Sequence, residues 1–172
     1  MIEQDLRARM QSNPDSAYLA DRLAKILADS GRSDDAATVL GEFLQRHPDN
    51  AAIRQTQLSL LVKSKRWNEA LKLSAEKLRN DPTSEKEVES ILEAVRASPE
   101  AVDGIIASAN ADSKDAIHLY LVGRVAAQAN RTQDAERIIR EALALNARFA
   151  PARATMAELL VQRCDLDGAL QM

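Results

Sequence analysis

The sequence predicts an all-α fold, an α-solenoid of stacked antiparallel helix pairs with about eleven helices. Three observations lead there. The first is composition: among 172 residues, 45% are hydrophobic but only 3% aromatic, with five glycines and five prolines. Alanine occurs 30 times and leucine 21 times, so the apolar surface is carried by two strong helix formers. A β-sandwich or barrel would need β-branched and aromatic residues with frequent turn glycines. The second is the step between Asn13-Pro14-Asp15-Ser16, His47-Pro48-Asp49-Asn50 and Asp81-Pro82-Thr83-Ser84, which is 34 residues each time. The third is a set of alanines, Ala36, Ala70, Ala135 and Ala169, separated by 34, 65 and 34 residues. Since 65 is two periods less three residues, a shortened repeat lies between Ala70 and Ala135.

The elements follow in order within one predicted domain, 1–172. Residues 1–16 carry Ile2, Leu6 and Met10 at helical spacing before Pro14, and read as the second helix of a preceding repeat. Repeat 17–50 has a first helix with Leu19, Leu23, Ile26 and Leu27 on one face. Gly31 stops it, because glycine adopts positive φ without a Cβ clash. Its second helix, 33–46, presents Ala36, Val39, Leu40, Phe43 and Leu44, and Pro48 ends it by disfavouring helical geometry in the preceding residue.

Repeat 51–84 places Ile53, Leu58 and Leu61 in its first helix, then Ala70, Leu71 and Leu78 in its second. Repeat 85–115 opens on a capping box, Ser84 with Glu87. Its second helix, about 99–110, has Ser98 as a cap ahead of Pro99. The three missing residues fall before Asp112, and an irregular step between repeats is expected there. The alternative is a deletion absorbed in a loop. Repeat 116–149 has Leu119, Val122 and Val125, then Ile138, Ile139 and Ala142. Residues 150–172 form a truncated repeat whose second helix begins near Leu166. Neither end has a polar capping helix, so the chain reads as a segment of a longer array whose terminal helices could associate with a second copy.

This pattern resembles the tetratricopeptide repeat (TPR) family, a 34-residue helix–turn–helix. That family has a small residue at position 8, an aromatic near 17, alanine at 20 and proline at 32. Counting from 17, 51, 85, 116 and 150, position 8 holds Ala24, Leu58, Leu92, Gly123 and Ala157, and position 20 holds Ala36, Ala70, Gly104, Ala135 and Ala169. Trp67 is an aromatic at 17. The usual tryptophan at position 4 is missing, and Ala147 replaces a proline. Small residues matter where the two helices cross, since a larger side chain would wedge them apart. The resemblance implies a right-handed superhelix whose first helices line a concave surface.

No catalytic or metal-binding constellation emerges. His47 and His118 have no partner at HxxxH or HExxH spacing, and the single Cys164 reads as a small buried side chain. No GxGxxG or GxxxxGK[ST] loop occurs, so no cofactor is expected. A net charge of −3 without a basic block argues against nucleic acid. No stretch approaches about 18 apolar residues, so no membrane insertion is expected. The polar start, Ile2-Glu3-Gln4-Asp5, is not a secretory signal, which leaves the compartment open with the cytoplasm favoured.

What remains is recognition of a protein or peptide partner by a non-enzymatic scaffold. The alternative is an accessory array serving a catalytic domain outside this segment. In the resembled family, partner contacts concentrate at positions 2, 5, 6, 9, 12 and 13 of the first helices. Those positions include Tyr18, Asp21, Lys25 and Asp29; Gln55, Thr56, Ser59 and Lys63; Lys86, Glu89 and Arg96; Tyr120, Arg124 and Gln128; and Thr155. The candidate binding residues are Tyr18, Lys25, Gln55, Ser59, Tyr120, Arg124 and Gln128, since aromatics and arginine dominate interface energetics. Tyr18 and Tyr120 could equally cover the seam to the next helix. As surface residues, Tyr120→Ala and Arg124→Glu should weaken partner capture with little change in melting temperature. The carboxylate clamp of the chaperone-docking members is not reproduced, only Lys86 matching it.

Overall fold

The computed structural model describes all residues except Met1, Thr83, Asp112 and Ser113, and the side chains of Glu85, Lys86, Glu87, Ala94, Asn110 and Ala111 also lie outside the described set. Among the described residues there are eleven α-helices and no strands. The chain forms two compact units, Met1–Arg66 and Trp67–Met172. The boundary falls inside the second predicted repeat, between its two helices.

The first unit contains α1 (Ile2–Ser12), α2 (Ala17–Asp29), α3 (Ser33–Arg46) and α4 (Ala51–Lys63). Its core joins Leu23, Ala24 and Leu27 of α2 with Ala36, Leu40 and Phe43 of α3 and Ile53, Leu58 and Leu61 of α4, all buried. Ser16 and Asn50 start α2 and α4 by accepting the backbone N–H of Leu19 and Ile53, so two N-terminal donors have partners without solvent. The turns around the prolines are tied by arginines: Arg46 donates to the carbonyl of Pro14, and the buried Arg54 to that of Pro48. His47, at the end of α3, sits with Nε2 2.8 Å from Asp15 Oδ1 and its ring 4.7 Å from that of Phe43.

The second unit contains α5 (Trp67–Asn80), α6 (Glu85–Ala97), α7 (Val102–Ala111), α8 (Ala116–Gln128), α9 (Thr132–Leu145), α10 (Ala150–Gln162) and the short α11 (Leu166–Leu170). Leu119, Val122, Val125, Ile138, Ile139 and Met156 form its centre. Glu136, buried on α9, accepts Arg140 at 2.9 Å and Arg163 at 2.8 Å, which ties α9 to the end of α10.

Four helix-pair turns share one device. Gly31, Lys65, Asn130 and Cys164 all have positive φ, between 58° and 76°. At each, the left-handed residue donates to the carbonyl three residues earlier, and the next residue donates five back, as in Asn130 to Ala127 and Arg131 to Ala126. This is the Schellman termination, and it satisfies the last carbonyls of the first helix. Cys164 is therefore exposed at a turn, against the expectation of a buried thiol.

The shortened repeat lacks the device. Its first helix keeps 13 residues, like those of the other repeats, but only Ser98 separates it from the next element. A 3₁₀ turn at Pro99–Ala101 then runs into the ten-residue α7. The other turns have three residues and the complete second helices fourteen, so two of the missing residues come from the turn and one from the helical stretch. Ser98 makes no side-chain cap, and neither does Ser84; the glutamate of the expected capping box, Glu87, has its side chain outside the described residues.

The small positions divide the same way. A Cβ on Gly123 would stand 2.5 Å from Ile139 Cδ1, so α8 meets α9 closely enough that any larger residue would have to displace the Ile139 side chain. Gly104 is exposed and a Cβ there would meet nothing within 4 Å, so it is not the close crossing that its repeat position suggested.

Candidate functional site

In the first unit, α2 and α4 face one another across a groove of about 700 Å³. One wall is α2 through Lys25 and Asp29, the other α4 through Gln55, Ser59 and Lys63, and Leu40 of α3 lies at the bottom. The helical period explains the arrangement: Gln55, Ser59 and Lys63 are four residues apart, as are Lys25 and Asp29, so each set forms one stripe. Ala24 and Ala28 of α2 keep the floor apolar and shallow, and Ala52 adds a methyl group to the α4 wall. A cavity of this size with an apolar floor and a few polar groups fits the general character of ligand sites.

Electrostatically the two ends of the groove differ. Asp21 accepts Lys25 Nζ at 2.7 Å and Thr56 Oγ1 at 3.0 Å, so one end is bridged and its charges satisfied. Toward the C-terminal ends of α2 and α4, Asp29 and Lys63 line the same cavity without an ion pair to each other or to any described residue. Ser33 and Ser64 add hydroxyls at that end.

The structure thus brings Lys25, Gln55 and Ser59 together. Tyr18 is 71% exposed on α2 but does not line the groove. In the second unit, Gln128 is exposed and accepts Arg96 Nη2 at 3.2 Å, and Arg96 also pairs with Glu89 at 3.0 Å. Arg124 is half-buried on α8. Tyr120 requires a correction: it is 5% exposed, its ring edge-on to Phe149 at 5.2 Å, and it acts as a core side chain. Thr155 is likewise buried. Both lie on helices whose apolar residues occur on several sides, so repeat position alone misplaced them at the surface. Lys86 has its side chain outside the described residues.

Sequence reasoning missed a recurring ion pair. The residue after the left-handed turn is arginine in three cases, and each reaches an acid at the start of an earlier second helix: Arg32 to Glu3, Arg66 to Asp34 and Arg131 to Asp103. The signal was present in Gly31-Arg32, Lys65-Arg66 and Asn130-Arg131, which keep the 34- and 65-residue steps.

The helices and their turns define an all-α helical-repeat protein with a TPR-like fold. No family model matches the sequence, and no curated protein does. Among solved structures, the chain is similar to a thermophilic TPR protein of Thermus thermophilus, at 22% identity over 91% of this chain and 87% of that one, with a TM-score of 0.44. It is also similar to a tetratricopeptide repeat protein from Parabacteroides merdae, at 16% identity, 98% and 68% coverage and a TM-score of 0.47. A third is YrrB, described as a TPR protein with an unusual peptide-binding site, at 12% identity, 96% and 87% coverage and a TM-score of 0.46. No helix among the described residues is long and apolar enough to cross a membrane.

Proposed function

We propose that the chain is a non-catalytic protein-interaction module that takes a peptide segment of a partner protein in the α2–α4 groove. The observation that carries this reading is the groove itself, where Lys25, Gln55 and Ser59 converge over an alanine floor. Side-chain amides, hydroxyls and ammonium groups can meet a peptide's backbone and side chains, while the alanines leave room for its apolar residues.

A photo-crosslinking residue placed at Gln55 in the native host tests this, with the same residue at the exposed Gln45 of α3 as reference. The expected result is an adduct from Gln55 that maps to one short partner segment and disappears when Ser59→Trp fills the groove. Equal labelling from both positions, or an adduct unaffected by Ser59→Trp, would remove the groove from the account.

A further inference from the structure

The groove has unlike charges on its two walls, and only one end of it is internally neutralised. Asp21 takes both Lys25 and Thr56, so that end offers a partner little unsatisfied charge. At the other end Asp29 stands on α2 and Lys63 on α4, both lining the cavity and neither ion-paired among the described residues. A uniformly acidic segment seated there would set an anion against Asp29, and a uniformly basic one a cation against Lys63. A segment carrying one charge of each sign meets neither repulsion and complements both walls. Toward the same end of the cavity, Ala28 and Leu60 accept small aliphatic side chains and have no hydrogen-bonding side-chain atoms to offer.

Resting on the reading of this groove as the partner site, we infer that it selects a mixed-charge peptide, with one acidic and one basic side chain flanking small aliphatic residues. Both groove charges are on open surface, so each contributes about two- to fivefold in affinity.

Four capped nonapeptides with the same alanine–leucine body test the inference, carrying Glu and Lys, two Glu, two Lys, or two Gln at the same pair of positions. Each is titrated into the isotope-labelled full chain while backbone amide shifts are followed. The Glu–Lys peptide is expected to move the amides of 24–29 and 55–64 and to bind about four- to twenty-five-fold tighter than the Gln–Gln peptide. The two like-charged peptides should fall below it. Asp29→Asn and Lys63→Gln, both at exposed positions, should each remove part of that advantage without altering the fold.

If the Glu–Lys and Gln–Gln peptides move the groove amides equally, charge selection fails while the groove reading stands. An advantage that survives both substitutions also overturns the assignment to Asp29 and Lys63. If no peptide moves those amides, or the shifts persist in Ser59→Trp, the groove reading itself fails and takes this inference with it.

Discussion

Helices α2 and α8 occupy the same place in their repeats and have the same length, 13 residues, yet they do opposite things. α2 carries Asp21, Arg22, Lys25 and Asp29, buries four residues and forms one wall of an open groove. α8 carries one charged residue, Arg124, and buries eight residues among α5, α6, α7, α9 and α10. A helix apolar on one stripe is held at a surface, whereas one apolar nearly all round is drawn into the interior. The repeat pattern gives a helix its position in the chain order, and the charges on its remaining faces decide whether those faces meet solvent.

The two tyrosines offer the strongest way to break this contrast. Tyr120→Ala removes a buried ring packed on Phe149 and should cost about 3–5 kcal/mol, as truncation of other large core aromatics does. Tyr18→Ala removes a side chain that is mostly in water and should stay within about 0.5 kcal/mol. Urea unfolding midpoints of the full chain decide it. Equal losses would mean that α2 is as deeply packed as α8 and that the open groove has been misread.

The glycines come next, because they separate a true close approach from a coincidence of spacing. Gly123→Ala drives a methyl group into the Cγ1 and Cδ1 atoms of Ile139 and should destabilise by about 1–3 kcal/mol despite alanine's better helix propensity. Gly104→Ala enters open space in α7, so propensity acts alone and should stabilise by about 0.5–1 kcal/mol. Thermal melts with opposite signs for the two would sharpen the distinction. A stabilising Gly123→Ala would show that Ile139 swings aside freely.

How far the sequence discloses the molecule follows from these residues. The 34-residue step, Ala36, Ala70 and Ala135 as buried small residues, and the helix over 33–46 are all legible, because they follow from periodicity and local termination. Gly31 announces its left-handed turn. Lys65, Asn130 and Cys164 adopt the same conformation without a glycine's signature, and only their register with Gly31 could have revealed it. Cys164 was misplaced for that reason. Of the candidate residues, Lys25, Gln55 and Ser59 follow from the repeat positions of the resembled family and line one groove, whereas the burial of Tyr120 involves Phe149, 29 residues away. Pairing across such a distance is a property of packing, which a repeat consensus does not encode.

A third contrast sets two carboxylates apart. Each clamps arginines across helices, Glu136 from the interior of the second unit and Glu3 from the surface of the first. Glu136 raises the Arg163 pKa above its ordinary value, chiefly by accepting its hydrogen bonds. Glu136→Gln leaves a buried amide that cannot receive two guanidinium groups as a carboxylate does, so the urea midpoint should fall and α10 amides should exchange faster. An unchanged midpoint would reduce this clamp to an ordinary surface pair.

Glu3 should give the smallest effect, visible mainly through pH. Its carboxyl titrates below the ordinary value, chiefly through the hydrogen bond from Arg7; desolvation opposes this, and Arg32 adds to the lowering by donating to both carboxylate oxygens. Because the folded pKa lies below the unfolded one, the ionised carboxylate favours the docked α1. That contribution is complete above the unfolded value, about pH 4 for a free glutamate, and is lost as pH falls through the folded value. The protection factors of the α1 amides, which are exchange rates divided by the intrinsic rate at the same pH, should therefore fall as acid is added in wild type. Glu3→Gln should show faster exchange already at neutral pH and no such step. Both pairs are solvent-exposed, so added salt should narrow the difference between the two proteins at neutral pH. Identical acid profiles would mean that α1 is held by Leu6 and its apolar neighbours alone, with the Glu3–Arg32 bridge contributing nothing to docking.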